Sequence, residues 1–200
     1  MFDHPTESTR DRILHGAYKA IGEQGIGPTN VGHILKRAGV SRRTFYQYFR
    51  SKDDVLAVVY EVVSTGLIQV IALAVATEPQ AGRKVTAGVE AYVDYQRRSG
   101  RGLMELQAEA IRPDSPLALH RESTLDAVVG VVNEAVRQNS GIQCDPLVFR
   151  ALLMGIEGMV IHLQRGGAFT KKDGDRVAAA SLALIFQVLD GIENMPVKPK

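Results

Sequence analysis

Residues 38–56 of the chain read AGVSRRTFYQYFRSKDDVL, which is the pattern of a short helix entered through a tight turn. Gly39 ends one helical stripe, and Ser41 is placed to cap the next helix, which runs through about Phe49. Because a helix advances about 100° per residue, Phe45 and Phe49 share one face and most polar residues fall on the outward arc. Two short helices joined by a glycine-containing turn predict a helix-turn-helix.

Basic residues are concentrated around this motif. The whole chain carries 24 Lys and Arg against 22 Asp and Glu, a net charge of +2. Residues 1–54 hold nine basic and six acidic side chains, whereas residues 55–200 hold 15 and 16. Between Thr29 and Lys52 there are six basic side chains and no acidic ones. Such a segment suits a phosphate backbone, and a solvated basic face without a partner is the alternative.

Helical periodicity extends over nearly the whole chain, and no segment alternates apolar and polar residues as a half-buried strand does. We therefore predict an all-α fold, with a three-helix head in residues 1–54, its motif at about 30–49, and a helical domain in residues 55–200. Cap residues, glycines and prolines mark nine helices. They are expected between the cap Ser8 and the stop Gly25, from Val31 to Ala38, after Ser41 to about Phe49, from beside Lys52 to about Thr77, from about Lys84 to Ser99, after Gly102 until Pro113, from Ser115-Pro116, from Asp145-Pro146 to near Gly166, and from about Asp173 to Gly191.

The fourth predicted helix is unusually apolar. Val55–Thr77 has 17 apolar residues of 23 and a single charge, Glu61. Its length allows a membrane span, but a helix that is apolar nearly all round is also the pattern of a helix buried centrally in a protein. We favour the buried helix, because Gln69 and the polar break at residues 64–66 interrupt the apolar run.

The motif residues together resemble the signature of TetR-family transcriptional regulators. The recurrent family form is Ala-Gly-Val-Ser, then Thr-x-Tyr-x-Tyr-Phe, a lysine, and a leucine four residues later. This chain has AGVS at 38–41, TFYQYF at 44–49, Lys52 and Leu56. The resemblance covers roughly a quarter of the chain. It implies a homodimeric DNA-binding regulator whose C-terminal domain, residues 55–200, binds an effector and dimerises.

The resemblance also assigns side chains to the DNA. Arginine can bind guanine O6 and N7 bidentately, and tyrosine can pack on a thymine methyl group or bond a phosphate. Packing at the helix flank is the alternative for Thr44 and Tyr48. The positions that often read bases are Arg42, Arg43, Thr44 and Tyr46, and those that often hold phosphates are Gln47, Tyr48 and Lys52.

The second predicted helix departs from the family pattern. Where the family commonly has Thr-Val-x-x-Ile-Ala, residues 30–35 read NVGHIL. Asn30 can still cap the helix and donate to a phosphate. Gly32 supplies no side chain where some relatives present a basic contact, and Leu35 replaces a small residue beside the packed helix pair.

The last two predicted helices, 146–166 and 173–191, are so apolar that most of their surface must be buried against other helices. The resemblance implies that helices 8 and 9 of the nine pack on their symmetry mates as a four-helix interface. An ordinary monomer core is the alternative.

A mostly apolar effector cavity with a few polar groups is expected between the C-terminal helices. Glu157 is either held by an arginine such as Arg150 or oriented toward the ligand, since a buried carboxylate needs a partner. The side chains expected to line the cavity are Tyr92, Tyr95, Met104, Gln107, Met154 and Glu157.

No motif of an enzyme, metal site or nucleotide cofactor reaches comparable specificity. We predict a ligand-responsive repressor that a small molecule releases from a palindromic operator, with no catalytic residues, no cofactor and no metal. The alternative is a helical small-molecule-binding or enzymatic protein whose helix-turn-helix is incidental. The single cysteine, Cys144, and the absence of an N-terminal leader favour a cytoplasmic location without membrane association.

Overall fold

A computed structural model of the chain describes residues 8–141 and 145–193. Regular structure within these ranges is helical throughout, which confirms the all-α prediction. Cys144 lies outside the described residues. A single turn of 3-10 helix at Ala81–Arg83 precedes the fifth helix. The α-helices are α1 (Thr9–Gln24), α2 (Val31–Ala38), α3 (Arg42–Tyr48), α4 (Lys52–Thr77), α5 (Lys84–Ala110), α6 (Ala118–Ser140), α7 (Pro146–Arg165) and α8 (Lys171–Glu193).

The first three helices begin and end at the predicted cap residues. Ser8 Oγ accepts a hydrogen bond from Asp11 N at 3.1 Å at the start of α1, and Ser41 Oγ accepts one from Thr44 N at 3.0 Å at the start of α3. Gly39 ends α2 with a φ of 63°, a left-handed conformation that favours glycine. The predicted helix-turn-helix is therefore present.

A small aromatic and aliphatic core holds these helices together. Phe45 of α3 and Ile34 of α2 are fully buried, and the Phe45 and Phe49 ring centroids lie 6.0 Å apart. The backbones of α1 and α2 approach closely where Gly16 faces Ala38. A Cβ atom at position 16 would lie 2.7 Å from Ala38 N, so only glycine fits there without a shift.

The chain packs as two compact units. The first comprises the residues up to Thr65 together with Ser99–Glu122, and the second comprises Gly66–Arg98 together with the residues from Ser123 onward. The packing boundary therefore lies inside α4, α5 and α6. The division of function at residue 54 stays a prediction.

The fifth and sixth predicted helices correspond to α5, which is interrupted at one residue. Gly100 has φ 65° and ψ −156°, a conformation outside the helical region. Beside this break the hydroxyl of Tyr18 donates to Ser99 O at 2.7 Å and accepts from Leu103 N. In an unbroken helix Leu103 N would donate to Ser99 O directly, so the tyrosine hydroxyl bridges the missing backbone bond. The helix ends at Ala110 rather than at residue 113.

Two other helix starts differ from the predictions. Ser115 and Pro116 form a turn in which Ala118 N donates to Ser115 O at 3.1 Å, and α6 begins at Ala118. Helix α8 begins at Lys171 because Thr170 caps it. Thr170 Oγ1 accepts from Asp173 N at 3.2 Å, and the Asp173 carboxylate accepts from Thr170 N at 3.1 Å.

Two helices, α4 and α7, are long and apolar enough to cross a membrane by length and composition alone. The most apolar window of α4 is 44% buried inside the protein and that of α7 is 28% buried. In α4 the buried side chains include Val55, Val59 and Val63, which recur every four residues. This spacing is that of one helix face packed in a protein core.

Candidate DNA-binding surface and internal cavity

The outward face of α3 carries side chains that were predicted to contact bases or phosphates. Arg42, Arg43 and Gln47 are exposed, as are Tyr46 at 50% and Tyr48 at 47%. The opposite face is anchored by the buried rings of Phe45 and Phe49. The helix therefore presents cationic and aromatic groups on a fixed apolar base, as a helix that enters the major groove does.

Thr44 is less available than its neighbours on α3. Its side chain is half-buried, and its Oγ1 lies 2.8 Å from Ser41 Oγ, so the hydroxyl takes part in the helix cap. This contact favours the packing alternative for Thr44.

Two of the predicted phosphate-binding groups, Asn30 and Lys52, lie at helix N-termini of the same unit. Asn30 caps α2, and its Oδ1 accepts from His33 N at 3.1 Å, which leaves the amide Nδ2 able to donate to a phosphate. Lys52 begins α4, and its Nζ donates to Ile26 O at 3.1 Å. An ammonium has three donors, so Lys52 keeps two for a second partner.

Three contacts that hold the helix-turn-helix were not found from the sequence. Arg12 of α1 donates to Ala38 O at 2.9 Å and to Gly39 O at 2.8 Å, at the C-terminal end of α2. Gln24 of α1 contacts His33 of α2 through Nε2 and Nδ1, 2.6 Å apart. His33 could have been found, because Asn30-x-x-His33 has the spacing of a capping box. The contacts of Arg12 and Gln24 join residues of different helices, so no local sequence pattern identifies them.

A carbon-lined cavity lies inside the second unit. Its volume is about 60 Å³. Gly88 keeps it open on one side, since a Cβ at that position would lie 3.3 Å from Val75 Cγ2. Among the lining residues that the structure describes, Lys84 alone is charged. The lining includes Ile71, Val75, Val85, Val89, Tyr92, Val128, Val129, Val132, Ala135, Phe149, Leu152, Leu153, Ile156 and Ile185.

Of the six side chains predicted to line a cavity, Tyr92 lines this one. Tyr95 and Glu157 are buried in the same unit and lie outside its described lining. Met104 and Gln107 are buried in the first unit. Met154 is 46% exposed on α7. The six residues are therefore not gathered at this cavity, and a ligand role for the other five stays a prediction.

The carboxylate of Glu157 is 5% exposed on α7. Arg150, one of its predicted partners, places Nη1 2.5 Å from Asp126 Oδ1 of α6. The structural and ligand-binding interpretations of Glu157 both stay open.

An apolar surface runs along α7 and α8. Leu147, Met154, Leu184 and Phe186 are exposed by 67%, 46%, 50% and 41%. Small residues exposed on the same two helices include Gly155 and Ala180. Contiguous exposed apolar side chains mark protein interaction surfaces.

Metal chemistry has no visible site in the part of the chain that the structure describes. No three His, Cys, Asp or Glu side chains in those residues are arranged to hold a metal ion.

Comparisons with known proteins identify the helix-turn-helix and the fold. Residues 13–59, which contain all of α2 and α3, match the sequence model described as "Bacterial regulatory proteins, tetR family". The helix-turn-helix segment of the chain is therefore similar to that of the tetR family of bacterial regulatory proteins.

Curated relatives share less than their whole length with the chain. The HTH-type transcriptional regulator AcrR of Shigella flexneri is 24% identical over 132 residues, which are 66% of this chain and 46% of AcrR. The chain thus spans about half the length of this curated relative.

Solved structures share the fold over nearly the whole chain. The fatty acid degradation regulator FadR from Bacillus halodurans superposes with a TM-score of 0.75 and 17% identity, covering 90% of this chain and 97% of that one. FadR from Bacillus subtilis in complex with stearoyl-CoA gives a TM-score of 0.73 and 20% identity, covering 86% and 95%.

Proposed function

We propose that the protein is a homodimeric transcriptional repressor that binds a palindromic operator through α3 and leaves it when a small molecule binds the C-terminal domain. Residues 1–54 carry DNA binding, and residues 55–200 carry effector binding and dimerisation. The protein acts in the cytoplasm and needs no catalytic residue, cofactor or metal.

The observation that carries the DNA-binding proposal is the exposure of Arg42, Arg43 and Tyr46 on a helix whose other face is buried. Two such helices of a dimer can enter successive major grooves about 34–36 Å apart. The free guanidinium groups can read guanine edges, and the groups of Asn30 and Lys52 can hold phosphates.

Binding to the DNA that flanks the protein's own gene tests this proposal. Arg43→Ala should weaken cognate binding by about 1–3 kcal/mol and flatten base preference if its contact is bidentate. Arg98→Ala is the matched control, because Arg98 is an exposed arginine of α5 whose Nε lies 2.6 Å from Asp94. Equal binding by the parent and Arg43→Ala across several operator sequences would contradict the assignment. Absence of any DNA binding by the parent would favour the helical small-molecule-binding alternative.

Lys52 tests the phosphate-binding part of the same surface. Lys52→Ala should weaken all DNA sequences similarly and reduce the slope of affinity against salt concentration by about one charge. A titration over several salt concentrations measures that slope. An unchanged slope would assign Lys52 to its bond with Ile26 O alone.

The dimer proposal is supported by the exposed apolar faces of α7 and α8. Both helices leave large and small apolar side chains uncovered in the single chain, and a second copy would bury both sets in one symmetric interface.

The effector proposal is supported by the carbon-lined cavity and its one polar aromatic, Tyr92. An apolar cavity stays dry and favours an apolar ligand. FadR from Bacillus subtilis, which shares the fold, was solved with stearoyl-CoA. We infer that the effector of this protein is predominantly apolar and contacts Tyr92.

Filling the cavity tests the effector proposal. Ala135→Leu adds carbon atoms to a buried lining position, so it should abolish release from the operator by an apolar effector while DNA binding persists. Release by the same compounds with unchanged potency would place the effector elsewhere.

A further inference from the structure

The N-terminus of α2 is held by a hydrogen-bond network that ends on the imidazole of His33. Gln24 Nε2 lies 2.6 Å from His33 Nδ1 and 3.2 Å from Thr29 Oγ1. Asn30 N lies 3.3 Å from the same Nδ1 atom. The Thr29 hydroxyl donates in turn to Gly25 O at 2.6 Å. The network thus joins the end of α1, the following turn and the first turn of α2.

The donors in this network determine the protonation of His33. A backbone N–H can only donate, so the contact with Asn30 N requires Nδ1 of His33 to be an acceptor. Gln24 must then also present its amide N–H₂ to Nδ1. The imidazole that fits the network is therefore neutral, with its proton on Nε2.

The same residue fixes the orientation of Asn30 from the other side. His33 N donates to Asn30 Oδ1 at 3.1 Å, which turns Asn30 Nδ2 outward. Gly32 leaves space for this arrangement, because a Cβ at position 32 would lie 3.1 Å from Asn30 Oδ1. A proton on Nδ1 would face two N–H donors, and both bonds to it would be lost.

The charged groups around His33 come from α1, α2 and the start of α4. Glu23 of α1 lies 2.5 Å from Arg37 of α2, so each already has a counter-ion. Lys36 is exposed one helical turn after His33. The ammonium of Lys52 donates to the carbonyl of Ile26, which lies in the loop before α2. Cations near a helix N-terminus oppose the helix dipole, so an imidazolium here gains no favourable partner from that terminus.

We propose that His33 is a positioning residue for DNA binding: its neutral imidazole accepts from Asn30 N and so fixes Asn30 at the start of α2, where Nδ2 donates to phosphate, and protonation of the imidazole removes that bond and weakens DNA binding. This role rests on the proposed function. It makes the affinity for DNA depend on whether His33 Nδ1 is free to accept from Asn30 N.

Operator affinity measured from about pH 8 to about pH 5.5 at constant ionic strength tests this role. His33→Gln keeps an acceptor for Asn30 N that does not titrate, as in a capping box with glutamine. The parent is expected to lose about three- to tenfold more affinity than His33→Gln over this range, the effect of losing a cap. His33→Leu, which lacks the acceptor, should bind at pH 8 about as weakly as the parent does at the acidic end.

His120→Gln is the matched histidine control, because His120 contacts Glu61 at 3.2 Å away from α2. Its affinity profile should follow that of the parent. Parallel profiles for the parent and His33→Gln, or a parent that binds more tightly on acidification than the variant, would overturn the role of His33.

The imidazole nitrogen chemical shifts of the full-length protein give a second readout that needs no DNA. At about pH 8 the Nδ1 signal of His33 should be that of an unprotonated nitrogen, and a protonated Nδ1 would contradict the network. A parent that binds no operator at pH 8 would remove the proposed function together with this role. A parent that binds with a profile equal to that of His33→Gln would remove only the role of His33.

Discussion

The hydroxyl of Tyr18 shows how one side chain replaces a backbone hydrogen bond. It lies between Ser99 O and Leu103 N, at the point where Gly100 interrupts α5. Burial raises the pKa of Tyr18 to about 12, and the two hydrogen bonds offset part of that effect. A phenol with a raised pKa stabilises the fold fully below the unfolded pKa of about 10 and loses that contribution as pH rises toward 12.

We expect Tyr18→Phe to lower the free energy of unfolding by about 1–2 kcal/mol at neutral pH, because the helix break loses its bridging hydroxyl. Between about pH 10 and 12 the difference between parent and variant should shrink, since only the parent has a phenol to ionise at this position. Urea unfolding at several pH values measures both effects. A difference that stays constant up to pH 12 would contradict the burial of an ionisable hydroxyl.

Residue roles were predictable where the partner is near in sequence. Ser8, Asn30 and Ser41 were identified as caps because each bonds a backbone N–H three residues later. Tyr18 and Arg12 were not, because their partners lie 81 and 26 residues away. No local pattern encodes such a contact.

At the scale of helices, the packing of α1 on α2 depends on the absence of a side chain at position 16. A methyl group there would meet the backbone nitrogen of Ala38, which cannot move without shifting α2. The helix that would shift, α2, is connected to α3 through the turn at Gly39.

Gly16→Ala is therefore expected to destabilise the protein by about 1–3 kcal/mol, despite the better helix propensity of alanine. Gly130→Ala is the matched control. Position 130 is exposed on α6 with open space around it, so the same substitution should stabilise by about 0.5–1 kcal/mol. Thermal unfolding of both variants gives the two signs, and a stabilised Gly16→Ala protein would show that the helices separate freely.

Helix boundaries, like residue roles, were predictable where the capping partner is near in sequence. The start of α7 was predicted because Asp145 accepts from Leu147 N and Pro146 fits the first helical position. The predicted start of α6 at Pro116 was wrong by two residues, since Ser115-Pro116 resembles Asp145-Pro146 in composition but forms a turn, and the helix begins at Ala118. The predicted start of α8 at Asp173 was two residues too late, because Thr170 and Asp173 form a capping box that places the start at Lys171.

At the scale of the whole molecule, the proposed dimer would cover the exposed apolar side chains of α7 and α8. We expect sedimentation of the parent at micromolar concentration to show a dimer. Ala180→Glu should yield monomers or insoluble protein, because it places a charge in the proposed dimer interface. Leu119→Glu replaces an apolar side chain that is 82% exposed on α6 and should sediment like the parent. A monomeric parent would remove the dimer proposal.

The sequence predicted the class of fold and the helix-turn-helix but not the lining of the cavity. Periodicity identifies which face of a helix is buried, and the motif residues of α3 lie in one continuous segment. The cavity lining comes from five helices, and nothing in the sequence of α5 distinguishes Tyr92, which lines it, from Tyr95, which does not. Such a site depends on the relative rotation of several helices.

The discontinuous composition of the first packing unit has a consequence for the order in which the chain folds. That unit needs Ser99–Glu122 as well as the residues up to Thr65, so it is incomplete until the ribosome has made residue 122. A fragment that ends after α3 would lack Ser99, so the Tyr18 hydroxyl would lose its acceptor. The fragment would also lack Gly102, whose backbone nitrogen would lie 3.4 Å from a Cβ at position 22. Contacts between segments so distant in sequence slow folding. During synthesis α2 and α3 therefore emerge well before the segment that completes their support, and the proposed DNA binding would become possible only late in translation.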